Sequence, residues 1–169
     1  YVEKLKYALL SKKERARFPD DVEFKAAFEE RPVYLMNSKN KIYILERFEN
    51  FGTSEDKDVY RHCDDGTYSI EHIMPQHLTP VWQKELGDDY EQIHEIWLHR
   101  MANLTLTAYN SKYSNSSFTE KKTMQNGFDD SGIRMNTWIA KKDKWTLKEI
   151  EKRNEHLMGR ALTIWARPT

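Results

Sequence analysis

The stretch Y-S-I-E-H-I-M-P-Q-H, Tyr68 to His77, decides how the rest of this chain is read. Tyr68 and Ile70 alternate with Ser69 and Glu71, the period of two of a half-buried strand, and Pro75 ends it. His72 therefore falls at a strand end. About thirty positions on, H-R-M-A-N-L-T-L-T-A-Y-N-S-K-Y-S-N-S-S-F-T-E-K-K runs from His99 to Lys122. Leu104 to Thr107 alternates again, Tyr109-Asn110-Ser111 begins a turn or short helix, and the capping box Ser117-x-x-Glu120 starts a helix at Phe118. The order is strand, long excursion, strand, helix.

Upstream, Val2, Leu5 and Leu9 recur at helical spacing, and the basic run Lys12 to Arg17 extends that helix. The run is either a solvated helix end or a nucleic-acid contact. Pro19 breaks the pattern, Asp20 and Glu23 cap a second helix to about Glu30, and Pro32 closes it. Ile42, Leu45 and Phe48 share a helical face between Ser38 and Asn50, although Ile42 to Leu45 alone could be a strand. Gly52 to Gly66 is polar and aperiodic and reads as a loop. Within the excursion, Thr79-Pro80 starts a helix that stops at Gly87, and Asp88-Asp89 start another. His94 and His99 fall on that second helix as packing or surface groups. Beyond Lys122, Asn126-Gly127 ends a helix and Trp138-Ile139 marks a short one. Thr146 and Glu149 then cap a last helix carrying Ile150, Leu157, Ala161 and Ile164.

A chain of 169 residues with 38% hydrophobic content and 12% aromatic residues supports one packed domain and excludes wholesale disorder. No apolar run is long enough for a membrane helix, and the N-terminus lacks a signal-peptide pattern, so the expected location is cytoplasmic. The single Cys63 cannot form an internal disulfide. Net charge is zero, without the basic excess usual in nucleic-acid binders. The distribution is uneven: residues 110–145 hold seven basic and four acidic side chains, whereas residues 46–65 hold seven acidic and three basic. A phosphate-facing surface is expected on the C-terminal half.

The strings E-H-I-M-P-Q, A-N-L-T-L, N-S-K-Y-S-N and F-T-E-K-K, in this order and spacing, resemble the HNH (ββα-metal) nucleases. Within them the chain is most similar to the C-terminal nuclease domain of GmrSD-type modification-dependent restriction enzymes. The resemblance implies an α+β fold, mainly α with a small ββα-metal (HNH) unit. Residues 1–169 would form a single nuclease domain: an N-terminal helical part and loop (1–67), the ββα core with its helical insertion (68–122) and C-terminal helices (123–169). It also turns Ser38 to Asn50 into a helix, since I-L-E-R-F matches one before the motif. A chain starting at Tyr1 would be part of a larger protein whose N-terminal ParB-like domain or subunit hydrolyses nucleotides. The implied activity is a metal-dependent endonuclease or nickase acting on double-stranded DNA in defence against modified phage DNA. The alternative is a non-catalytic DNA-binding or protein-interaction module on the same scaffold.

Phosphodiester hydrolysis needs an activated water, stabilised phosphate charge and help for the departing oxygen. His72 suits the general base, because a neutral imidazole accepts a proton near physiological pH. By the resemblance, Glu71 and Asn110 are metal ligands, a hard-oxygen pair suited to Mg²⁺ or Mn²⁺. Asn103 would orient the base and its loop, and Asn115 is the rival to Asn110. Alternation places Glu71 and His72 on opposite faces, so the strand must end or twist there for one site to form. Lys112, Lys121 and Lys122 either contact DNA phosphates or form a solvated face. His62, Cys63, His72 and His77 make a zinc site on paper only, as no pair has the usual ligand spacing.

Overall fold

The computed structural model describes residues 1–14, 17–108 and 113–168. Its helices begin where cap chemistry places them. Helix α1, Val2–Leu10, buries no residue and stops at Ser11, whose N–H turns back to the Leu9 and Tyr7 carbonyls. The start of the basic run, Lys12 to Glu14, therefore does not continue the helix, and Arg17 forms a two-pronged pair with Glu23 at 2.6 Å. Helix α2, Asp21–Glu30, carries the Asp20/Glu23 capping box. After a 3₁₀ turn at Val33–Leu35, helix α3, Ser38–Glu49, is capped by the Asn37 side chain. The polar stretch before the first strand holds a helix the sequence did not announce, α4, Val59–Asp64, capped by Asp58.

Strand β1, Ser69–His72, pairs antiparallel with β2, Leu104–Thr107, in the register Ser69 to Thr107 and His72 to Leu104. Between them run α5, Pro80–Leu86, and α6, Tyr90–Trp97, and a 3₁₀ turn at Met101–Asn103 leads into β2. Gly87 ends α5 at φ +87°, a backbone region that penalises any side chain. Past β2 come α7, Phe118–Thr123, α8, Asn136–Ala140, and α9, Leu147–Ile164; α7 and α9 start at the Ser117/Glu120 and Thr146/Glu149 boxes. Helix α7 closes at Thr123, three residues before the expected Asn126-Gly127 end, and Asn126 takes φ +62°. The architecture is mainly helical with one small two-stranded sheet. No helix of the described residues is long and apolar enough to cross a membrane.

Two apolar clusters hold the strands in place. Ile73, Met74, Trp82, Phe118, Trp145 and Ile150 belong to one, and Leu45, Phe48, Leu104, Leu106, Leu157 and Ala161 to the other. Helix α9 contributes to both, and the fully buried Arg153 lies between its two sets. The Arg153 Nη1 donates to the carbonyls of Ala102 and Leu104, both at 2.8 Å, so α9 is tied to the start of β2 through charge-assisted bonds. Each fully buried large apolar side chain contributes roughly 1.5–3 kcal/mol, which fixes the strand ends firmly enough to position polar groups there.

Candidate active site

Strand β1 ends at His72, and the chain bends into the Ile73 to Pro75 segment with the Ile73 N–H donating to the Asn103 carbonyl at 2.9 Å. That ending removes the obstacle posed by alternation: Glu71 and His72 line one cleft of about 220 Å³, with Tyr34, Gln76, His77 and Asn115 around them. Asn110 and Lys112 lie outside the described residues. Asn115, the rival to Asn110, is on the cleft wall.

Asn103 is fully buried and spends its amide on the loop beside His72. Its Oδ1 accepts from the Met74 N–H at 2.8 Å, and its Nδ2 donates to the Met74 and Leu98 carbonyls at 2.9 and 3.1 Å. The Trp145 Nε1–H also reaches Oδ1, at 3.3 Å. A residue gripped at both its N–H and its C=O cannot swing, so the segment following the histidine is held in place.

His72 is only 5% exposed. Its Nε2 lies 3.2 Å from His99 Nδ1, and its ring meets Tyr34 edge-on with centroids 4.3 Å apart. Tyr34 stacks on His99 at 5.4 Å, and its N–H donates to the His99 carbonyl at 3.1 Å. Lys41 lies over the Tyr34 ring, with Nζ 4.6 Å from the ring centre. Helix α6 ends at Trp97, so His99 is not helical; half-buried, it packs against Tyr34 and lies beside the His72 ring. Sequence alone gave no signal for Tyr34, and only the proximity of His99 to Asn103 could have raised its standing. Burial, reinforced by the positive neighbourhood of His99, Lys121, His94 and Lys41, pushes the His72 imidazole down to about 3, so it is neutral at physiological pH.

Lys121 corrects an expectation. It is fully buried, and its Nζ donates to Glu71 Oε1 at 2.5 Å, to the His72 carbonyl at 2.9 Å and to the Ile73 carbonyl at 3.2 Å. An ammonium with three internal acceptors does not face a DNA phosphate. Burial drives Glu71 up to about 7 against the pull of Lys121, and the same burial lowers Lys121. Lys122 is also largely engaged, donating to the Lys142 carbonyl at 2.8 Å with Asp143 at 3.7 Å.

Among the described residues no group of three or more His, Cys, Asp or Glu side chains gathers as a metal site, and the paper zinc set is not assembled. What the cleft offers is one carboxylate, with one of its oxygens given to Lys121, and the Asn115 amide. A few hard oxygens completed by water and substrate phosphate are the donor type that Mg²⁺ or Mn²⁺ takes.

Residues 18–160 match the family model described as GmrSD restriction endonucleases, C-terminal domain. No curated protein matches the chain.

Proposed function

Because the chain belongs to the family of GmrSD restriction endonuclease C-terminal domains, we propose that it is the nuclease module of a restriction system, cleaving or nicking double-stranded DNA as an HNH-type, divalent-cation-dependent phosphodiesterase. The observation that carries this reading is the single cleft shared by a neutral His72 and Glu71 at the end of β1. In this reading His72 Nε2–H donates to His99 Nδ1, which leaves the Nδ1 lone pair of His72 as the base for an attacking water. A base so depressed is weak in the free protein. The negative charge of a phosphodiester in the cleft offsets Lys121 and Lys41 and raises its basicity when substrate arrives. Asn103 holds the following peptide, so the ring does not drift from the scissile bond. Glu71 with Asn110, as the family pattern suggests, or with its rival Asn115 would hold Mg²⁺ or Mn²⁺, which when bound supplies positive charge for the phosphate and the departing oxygen. Modified-DNA recognition and nucleotide hydrolysis would belong to a ParB-like partner domain or subunit.

The rival reading, a non-catalytic DNA-binding or interaction module, draws on the Lys121 ammonium that already neutralises Glu71. Plasmid nicking with Mg²⁺ or Mn²⁺, with and without EDTA, separates the two. Nicking that EDTA and His72→Ala both abolish supports the nuclease; no nicking by a folded chain under any divalent ion supports the rival.

A further inference from the structure

Away from the His72 cleft, helices α8 and α9 enclose a second, smaller cleft of about 130 Å³ whose lining includes Arg134, Trp138, Lys141, Arg153, His156 and Arg160. No Asp or Glu lines it. Among the described residues none of its cations forms a salt bridge. Such a concentration is unusual in a chain of zero net charge, and it extends the basic excess noted over residues 110–145 into α9.

Two buried nitrogens make this more than a basic patch. Arg153 is 1% exposed; its Nη1 is satisfied by the Ala102 and Leu104 carbonyls, but its Nη2 meets no partner among the described residues. His156 Nε2 is likewise buried and unpartnered, with its ring stacked on Trp138 at 5.9 Å. Leaving a buried guanidinium donor unmade costs about 1–3 kcal/mol or more, and His156 Nε2 is a second such donor in the tautomer that carries its proton there, so two residues lining one cationic cleft call for an acceptor. Arg160 sits over the Phe51 ring at 5.3 Å, free of any carboxylate among the described residues, and Lys141 is exposed. Burial and the positive charges of Arg160, Arg153 and Lys142 hold His156 below its usual range, as a cleft short of negative charge would.

We propose that the α8–α9 cleft is a phosphate-binding site, with Arg153 Nη2 and His156 Nε2 as buried donors and Arg160 and Lys141 as the cationic rim. A tetrahedral oxyanion has enough acceptors to satisfy both donors and both cations at once, and arginine suits it better than a point charge. The phosphate can come from the DNA backbone or from a small molecule such as inorganic phosphate. Neither source depends on the His72 cleft or its chemistry.

The test uses the full 169-residue chain and the rim variant Lys141→Gln/Arg160→Gln, which leaves Arg153 and its two carbonyl bonds intact. Lys144→Gln/Lys148→Gln is the charge-matched control. Thermal shifts with inorganic phosphate against chloride at equal ionic strength report the site. Phosphate-specific stabilisation in the wild type and the control, weakened about tenfold or more in apparent affinity in the rim variant, is the expected result. Anisotropy with a short duplex then names the source: weakened duplex binding in the rim variant alone identifies backbone phosphate, and unchanged duplex binding identifies a small phosphate. No phosphate-specific shift in the wild type, or one that persists in a folded rim variant, overturns the proposal whatever the duplex does.

Discussion

Lys121→Met is the substitution with the best-defined consequence. It keeps the length of the side chain but removes the ammonium that reaches Glu71 Oε1 and the His72 and Ile73 carbonyls. Both charges are within 5% of complete burial, so solvent cannot take over. Breaking a buried pair from one side costs about 3–5 kcal/mol, against a total stability of roughly 5–15 kcal/mol. For a chain of this size that is a fall in Tm of about 6–20 °C. The sign with pH follows from burial. A carboxyl whose folded pKa stands above its unfolded value makes the native state bind more protons, so the contribution of Glu71 is full below about pH 4.5 and is lost as pH rises to about 7. Losing Lys121 removes the charge that holds Glu71 down, so its carboxyl rises further than in wild type; Lys121→Met should recover stability relative to wild type on going from pH 8 to pH 6, and Glu71→Gln/Lys121→Met should recover most of it at any pH. Urea titrations at both pH values, read as a double-mutant cycle, measure each quantity. A Lys121→Met protein within about 1 kcal/mol of wild type at pH 8 would refute the buried pair as the tie between α7 and β1.

Three further outcomes follow from the same geometry. His99→Phe keeps the stacking on Tyr34 but loses the acceptor for His72 Nε2; kcat for nicking should fall about tenfold to a hundredfold with KM nearly unchanged and partial rescue in His99→Asn, whereas equal activity in all three proteins contradicts the orienting role. Asn103→Ala strands the Met74 N–H and C=O inside the protein, so denaturant unfolding should show a loss of about 2–4 kcal/mol, and a loss under 0.5 kcal/mol would mean the loop does not depend on it. His72, His99 and His156 are all held below the usual histidine range, chiefly by burial. Protonation therefore favours the unfolded chain: the contribution of these rings is complete above about pH 6.5 and declines as pH drops below it, opposite in sign to that of Glu71, and a flat unfolding free energy from pH 7 to pH 5 in Glu71→Gln, where the opposing carboxyl is gone, would show these rings to be solvated.

Local chemistry made much of the helical framework legible. Three capping boxes, Asp20/Glu23, Ser117/Glu120 and Thr146/Glu149, stand at the starts of α2, α7 and α9 because each satisfies backbone donors using residues three apart. Thr79-Pro80 and Gly87 bound α5 for similar reasons. Helix α4 was missed because six residues cannot display a 3.6-residue period, and its one anchor, Val59, is buried by packing that no neighbour in sequence reveals. The extension of α1 into Lys12 to Glu14 failed for the opposite reason: with no face buried, nothing sustains a helix beyond Leu10.

The site divides along the same line between local and distant information. Glu71, His72 and Asn103 could be singled out because strand ends and turn residues leave marks nearby in the sequence. Their partners could not. Tyr34 comes from a 3₁₀ turn far upstream, His99 from the exit of α6 and Lys121 from α7, and each acquires its role only when the two apolar clusters bring these elements together. Lys121 shows how far the environment can reverse a reading made from type alone. On a solvated helix the doublet Lys121-Lys122 is a cationic edge, yet one turn of α7 against the end of β1 puts the first lysine beside a carboxylate that burial would otherwise neutralise. The charge that the sequence offered to DNA is thus spent on holding Glu71 and the backbone of His72 and Ile73. Among the described residues the cations of the α8–α9 cleft form no salt bridge either, and there composition alone gave only a regional excess.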